Sequence, residues 1–348
     1  MYSQRKSTVR RCSHCFLSAL DSSHFMYFLL GISNNQYAEA MPSYMEKLIV
    51  TGSNTGIGKT TAIDLSRRGA RVIMPAEISR GQKLSSVTSR RASDWPFLLS
   101  QETGNNEVVF MELDLASLQS VRSFAETFLK SEFRLNILIN NAGLVNGGKT
   151  KDGVGMIFGV NHLGHFLLPV QLLDRLKECG PSRVVTVASI AHEFGKVDFN
   201  CLSTHKDLAV GESDWALFQK YSHSKLCNML FTHELAKRLE GTNVTCYSLH
   251  PGQCFNTLQH VSKAGWRSED RNSPVFRRMM LAPFISLFAV DAESGAQTTL
   301  YCALQEGIEP LSGCYFSCCA VQKVNANAKD DAVAKKLWEV SETLCGMS

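Results

Sequence analysis

The sequence predicts an α/β fold, a doubly wound parallel sheet of about seven strands with helices on both faces. Three observations predict it. Short apolar runs rich in β-branched residues alternate with helix-period stretches along the chain. The first run ends in a glycine turn that opens directly into a helix pattern. A later run, Val184-Val185-Thr186-Val187-Ala188, is almost wholly apolar, as a strand covered on both faces must be. The 348 residues, 44% hydrophobic and 20% charged, suit one large domain spanning about residues 45–345.

Taken in order, Glu46-Lys47-Leu48-Ile49-Val50 is a short strand, and Thr51-Gly52 breaks it into a turn. After Thr51-Gly52-Ser53-Asn54-Thr55-Gly56-Ile57-Gly58 comes a helix from Lys59 to Arg68, with Gly58, Ala62 and Leu65 on one face and Gly69 as the stop. Further strands are expected at Arg71–Met74, Val108–Leu113, Leu135–Ile139, Val184–Ser189 and Thr245–Leu249. Asn161 lies in a mostly apolar helix, Val160 to Leu168. A glycine turn between a strand and a helix lets backbone N–H groups and the helix N-terminus hold a dinucleotide pyrophosphate. The candidates for that role are Gly52, Ser53, Asn54, Thr55, Gly56, Ile57 and Gly58.

Tyr221-Ser222-His223-Ser224-Lys225 places a phenol and an ammonium one helical turn apart on the same face. A phenol titrates near 10 and is a poor acid or base at neutral pH. A neighbouring ammonium favours the phenolate, so Lys225 is expected to lower the Tyr221 pKa towards the working range. Ser189 ends an apolar run at the edge where open α/β sheets bind ligands, placed to hydrogen-bond a substrate oxygen beside Tyr221.

The glycine loop, Asn140-Asn141-Ala142-Gly143, Asn161, Ser189, Tyr221-x-x-x-Lys225 and Pro251-Gly252 follow one another in the order and spacing of the short-chain dehydrogenase/reductase family. The resemblance runs from about Glu46 to Leu344 and is strongest to the retinol-dehydrogenase-like branch. It implies a Rossmann fold and an NAD(P)-dependent oxidoreductase that interconverts a hydrophobic alcohol, retinol-like, and its carbonyl. It further implies that Ser189, Tyr221, Lys225 and Asn161 are catalytic, with Lys225 also holding the cofactor ribose and Asn161 a proton-relaying water. By the same resemblance Asn140, Ala142 and Gly143 frame the adenosine side, Asp114 and Leu115 cap the adenine, and Pro251 and Gly252 lie near the nicotinamide. The residues themselves admit an alternative, a dinucleotide-binding or scaffold protein of the same fold without turnover.

Three departures from the family pattern bear on the cofactor. Relatives place an arginine after the second strand that grips the 2′-phosphate of NADP, whereas here Glu77 stands at that position. A carboxylate repels a phosphate and suits a free ribose hydroxyl, so NADP, implied by the resemblance, competes with NAD. Residues 81–101 read as an insertion beside the adenine end. After Pro251-Gly252, Asn256 and Thr257 stand where relatives place a small hydroxyl residue.

The net charge of +4 is modest and scattered, so nucleic acid is not implied. The twelve cysteines are spread over apolar segments and are expected to be reduced. No metal is expected, because His162, His165, His223 and His250 lack ligand spacing and Cys12-Ser13-His14-Cys15 has no second pair nearby. Residues 1–44 read as a disordered extension or degenerate targeting segment. Their uninterrupted apolar stretch, Phe25 to Leu30, is far short of the roughly 20 residues that span a bilayer. An intracellular chain is expected, with endoplasmic-reticulum association open. Residues 258–290 are expected to form an apolar substrate lid, and Arg277-Arg278 before its apolar part allows peripheral membrane contact. The sequence does not set the oligomeric state.

Overall fold

The computed structural model describes residues 46–76, 94–251, 253–254 and 289–347. The strands are β1 (Lys47–Val50), β2 (Arg71–Ala76), β3 (Val108–Glu112), β4 (Ile137–Asn140), β5 (Ser182–Val187), β6 (Val244–His250), β7 (Gln253–Cys254), β8 (Ala289–Val290), β9 (Tyr315–Ser317) and β10 (Ala320–Val321). The helices are α1 (Gly56–Arg67), α2 (Trp95–Thr103), α3 (Leu118–Ser131), α4 (Met156–Phe158), α5 (Gly164–Gln171), α6 (Leu173–Glu178), α7 (Phe199–His205), α8 (Asp214–Arg238), α9 (Ala292–Leu304) and α10 (Asp331–Leu344). Residues 1–44, Glu77, Gly252, Asn256, Thr257, and most of the expected insertion and lid lie outside the described residues. Trp95–Gln101, assigned by sequence to the insertion, are helical in α2.

The main sheet has eight strands in the order β10-β9-β6-β5-β4-β1-β2-β3. All neighbours pair in parallel except β10, which returns antiparallel on β9. The expected parallel, doubly wound sheet is what forms. The late edge strands β9 and β10 carry too few residues for a period to show in the sequence. Strand order reverses between β4 and β1, and that switch point opens a crevice at the strands' C-terminal ends.

Side chains of each central strand divide between two cores. Leu48, Val50, Val72, Ile139, Val185 and Leu249 face α1 and α9. Ile49, Ile73, Leu138, Val184 and Cys246 face α3, α5, α8 and α10. Burial on both faces explains the continuous apolar runs. On the second face Phe166, Phe231 and Trp338 lock α5, α8 and α10 together, with ring centroids 4.9 to 5.9 Å apart. Among the described residues no helix is long and apolar enough to cross a membrane.

At the opposite, N-terminal edge of the sheet, the buried Glu132 carboxylate follows α3 and accepts from Lys47 (2.7 Å) and Arg71 (2.7 Å). It thereby ties α3 to the starts of β1 and β2. Burial alone would raise the Glu132 carboxyl, but the hydrogen bonds from Arg71 and Lys47 outweigh it and hold it below 4.5. A depressed carboxylate stabilises the fold above its unfolded value and loses that contribution as pH falls through the folded one. Glu132→Gln is predicted to cost about 1–3 kcal/mol at neutral pH, with the deficit shrinking below about pH 4. Urea unfolding of parent and variant at both pH values measures this, and a pH-independent deficit would contradict it.

Candidate active site

The glycine loop joins β1 to α1 across the switch point. Gly52 (φ +66°) and Gly56 (φ +55°) occupy the left-handed region, where a β-carbon is strained. Gly58 is needed for another reason: a Cβ there would lie 2.3 Å from the Gly52 carbonyl oxygen and 2.4 Å from Asn141 Nδ2. The α1 N-cap, Thr55, is extended and makes no side-chain capping bond. By contrast α3, α8, α9 and α10 are capped by Ser117, Ser213, Asp291 and Asp330. No acidic residue stands in the first turn of α1, and the buried Ser53 hydroxyl has no partner. Uncapped amides, close backbone approach and an orphan hydroxyl fit a dinucleotide pyrophosphate.

Thr51, not among the sequence candidates, and Asn141, within the expected Asn140–Gly143 stretch, fasten this loop to the next. Thr51 Oγ1 accepts from the amides of Asn141 (2.9 Å) and Ala142 (3.0 Å), and Asn141 Nδ2 donates to the Thr51 carbonyl (2.8 Å). Thr51 Oγ1 also lies 2.9 Å from Nε2 of His165, whose Nδ1 is 3.3 Å from the Asn161 carbonyl oxygen. Burial lowers the His165 pKa to about 3, so the ring is neutral. The assignment that pairs both ring nitrogens has Nδ1–H donating to Asn161 and Nε2 accepting the Thr51 proton; the Ile139 carbonyl, 3.4 Å from the same hydroxyl, is already served by the Thr51 amide (3.0 Å). Asn140 Nδ2 donates to the His165 carbonyl (3.1 Å). In the sequence only Thr51 directly before Gly52 and the doubled asparagine hinted at this junction.

Asn161 lies in a π-helical turn, Gly159–Leu163, rather than in a regular α-helix. Its Nδ2 donates to the Leu144 carbonyl (3.0 Å) and Ser224 Oγ (3.1 Å), and its Oδ1 accepts from the Leu144 amide (2.9 Å). The side chain therefore staples the loop after Gly143 to α8, with both its polar atoms already bonded. A Cβ on Gly143 would lie 3.4 Å from Lys225 Nζ and 3.7 Å from Asn161 Oδ1, so the glycine lets that loop pass close to both.

Ser189 caps the 3-10 turn Ile190–Phe194, its Oγ accepting from the Ala191 amide (3.2 Å). Lys225 is buried; its Nζ donates to the Val187 carbonyl (2.9 Å) and lies 5.6 Å from the Tyr221 ring centroid. Burial lowers the Lys225 pKa to about 8. The half-buried Tyr221 departs from the sequence expectation. Burial raises its pKa above 10, and a hydrogen bond with Ser189 offsets only part of that rise. The expected lowering by Lys225 does not dominate, because the ammonium is itself desolvated and turned towards Val187. Tyr221, Lys225, Ser189 and Asn161 nevertheless come together at one edge of the sheet.

The remaining candidates surround this group. Asp114 follows β3, its carboxylate accepting from the Ala116 amide (2.8 Å) and from Lys151 (2.8 Å). Leu115 packs against Gly164 at the start of α5, and half-buried Pro251 follows β6. His162 pairs with Ser341 (3.0 Å), while His223 accepts from the Lys196 amide (2.8 Å). Nine cysteines, three from Cys179 to Cys227, Cys246, and five from Cys302 to Cys345, are free thiols, four of them buried. Among the described residues no three His, Cys, Asp or Glu side chains gather as a metal site.

Gly58→Ala is predicted to push the α1 start away from Gly52 and Asn141, costing about 1–3 kcal/mol of stability, as overpacking does. Dinucleotide affinity, read by fluorescence titration, should fall at least about tenfold, because the amides no longer converge. A variant that unfolds like the parent and binds dinucleotide equally well would remove Gly58 from the cradle.

The profile of the short chain dehydrogenase family matches residues 46–207. Dehydrogenase/reductase SDR family member 13 of Bos taurus is 47% identical over 299 residues, covering 86% of this chain and 73% of that protein. Retinol dehydrogenase 11 of Homo sapiens is 43% identical over 303 residues, covering 86% of both. Among solved structures, an uncharacterized protein from Mycobacterium paratuberculosis superposes with a TM-score of 0.63 at 30% identity, over 89% of this chain and 97% of its own. With the glycine cradle and the Tyr221–Lys225 helix at the switch point, these likenesses place the chain in the short-chain dehydrogenase/reductase family of oxidoreductases acting on CH–OH groups.

Proposed function

We propose that this chain interconverts a hydrophobic alcohol and its carbonyl, retinol-like in character, through Ser189, Tyr221 and Lys225. The convergence of these three residues beside the uncapped start of α1 is the observation that carries the reading. Relatives named retinol dehydrogenases support the substrate class. A nicotinamide dinucleotide held by the α1 amides and the loop Gly52–Gly58 would supply the hydride chemistry. Ser189 Oγ and the Tyr221 hydroxyl hold the substrate oxygen by hydrogen bonds. In reduction Tyr221 gives its proton to that oxygen; in oxidation it takes the proton back. Lys225 stabilises the phenolate left behind. A phenol raised by burial keeps its proton throughout the neutral range, which suits it to donate in carbonyl reduction.

For the cofactor we propose NADP on the family resemblance, with Glu77 as the residue that argues for NAD. Fluorescence titration with NADH and NADPH decides between them. On the NADP reading the parent binds NADPH more tightly, and Glu77→Arg strengthens it further by about 1–3 kcal/mol, with less effect on NADH. Equal shifts for both would mean that Glu77 does not face the ribose.

Tyr221→Phe removes the proton and little volume, so kcat/KM should fall at least roughly 10²-fold while dinucleotide affinity stays within a few-fold. Near-full activity in this variant would sink the mechanism. Lys225→Met should move the alcohol-oxidation profile to higher pH, since the phenolate loses a neighbouring charge. An unshifted profile would remove Lys225 from proton transfer. If the parent binds dinucleotide tightly but turns over no alcohol or carbonyl, the scaffold reading stands instead.

A further inference from the structure

A strip of apolar side chains runs outward from the reacting hydroxyls without being taken into the core. Nine large apolar side chains are exposed among the described residues. Five of them, Ile190, Phe194, Val210, Trp215 and Phe218, belong to the turn after Ser189 or to the loop and helix that lead to Tyr221. The other four, Phe97, Phe133, Val321 and Met347, are scattered over separate elements, as isolated surface apolar residues usually are.

Three of the five, Phe194, Phe218 and Trp215, form a continuous surface. Ile190 follows Ser189 directly. Phe218 sits one helical turn before Tyr221 on α8, so the two side chains share a face. The Phe194 and Phe218 rings are 6.0 Å apart, and Trp215 stacks on Phe218 at 5.6 Å and 29°. Yet these rings stay 66%, 37% and 56% exposed for Phe194, Phe218 and Trp215. Contiguous aromatic surface left in water marks a place where another apolar body lies.

We propose that Phe194, Phe218 and Trp215 form a platform for the unreactive tail of the substrate, with Ile190 beside the reacting carbon. The inference rests on the reading of Ser189 and Tyr221 as the groups that hold the substrate oxygen, and it deepens that reading. The platform selects an alcohol or aldehyde on a long, slender apolar chain over a short one. Its two ring-to-ring steps of 6.0 and 5.6 Å exceed the reach of a butyl chain, so only a longer tail covers all three rings. The location favours substrate over lipid bilayer: the strip begins at the reacting groups. Within Ile190–Lys196 and Val210–Phe218 three carboxylates, Glu193, Glu212 and Asp214, stand against one lysine, Lys196, which opposes an anionic membrane surface.

The test is a chain-length series of unbranched aldehydes, butanal to dodecanal, with the full-length protein and saturating reduced dinucleotide. The parent's kcat/KM should rise about 2- to 4-fold per added methylene, up to the end of the strip. Phe218→Ser/Trp215→Ser should flatten the series, costing dodecanal at least about tenfold more than butanal. Phe133→Ser, at an exposed ring before β4, should leave the slope as in the parent. A double variant with the parent's slope overturns the platform, as does a slope lost equally in Phe133→Ser. Loss of flotation with anionic vesicles at an unchanged slope would assign the strip to a bilayer instead. Should the parent turn over no aldehyde, the reading of Ser189 and Tyr221 fails. Dodecanol binding, read by displacement of a polarity-sensitive dye, then tests the strip by itself: binding lost in the double variant retains it, and binding kept there overturns it.

Discussion

The Thr51 hydroxyl is the contact on which the site depends. It sits where the strand order reverses, between β1 and β4, and a doubly wound sheet cannot bridge that gap with ladder hydrogen bonds alone beyond the strand ends. Its oxygen receives two amides from the loop after β4, and its proton goes to His165 on α5. Asn141 returns the tie by donating to the Thr51 carbonyl. Because Asn141 Nδ2 and the Gly52 carbonyl close over Gly58, the same junction sets the spacing of the glycine loop. Through His165 and Asn161 it continues to Leu144 and to Ser224 on α8, the helix of Tyr221 and Lys225. The glycine loop and the helix of Tyr221 and Lys225 are thus linked by a chain of buried and half-buried hydrogen bonds.

Burial sets the charge states in this network. His162 and His165 are held neutral, each near 3, and His250 near 4, so none of them competes with Lys225 as a cation at neutral pH. Lys225 itself is lowered to about 8 and spends a hydrogen bond on Val187. Tyr221 is raised. The candidate site therefore holds a protonated phenol beside an ammonium whose charge burial has weakened.

Much of this was legible in the sequence because it is carried by short-range pattern. The apolar runs of β1 to β6, the glycines at 52, 56 and 58, and the four-residue step from Tyr221 to Lys225 need no knowledge of distant residues. What stayed hidden is tertiary. Thr51 meets His165 across 114 positions and Asn141 across 90, and nothing local distinguishes these residues from ordinary turn and core side chains. The π turn at Asn161 lies within what reads as a regular apolar helix in the sequence. The Tyr221 shift runs opposite to the sequence expectation for the same reason: helical spacing reveals the nearby ammonium but not the desolvation that outweighs it.

The most direct measurement of this account is amide hydrogen exchange at Asn141 and Ala142 in Thr51→Val and Thr51→Ser, paired with dinucleotide titration. Valine keeps the shape and removes the acceptor, leaving the Ala142 amide unpaired at a cost of about 1–3 kcal/mol and the Asn141 amide with the Ile139 carbonyl (3.1 Å) as its remaining partner. Protection should drop at Ala142 and less at Asn141, and dinucleotide affinity should fall about tenfold or more. Serine keeps the hydroxyl and should restore both. Parent-like exchange and affinity in Thr51→Val would show that the junction does not hold the site together.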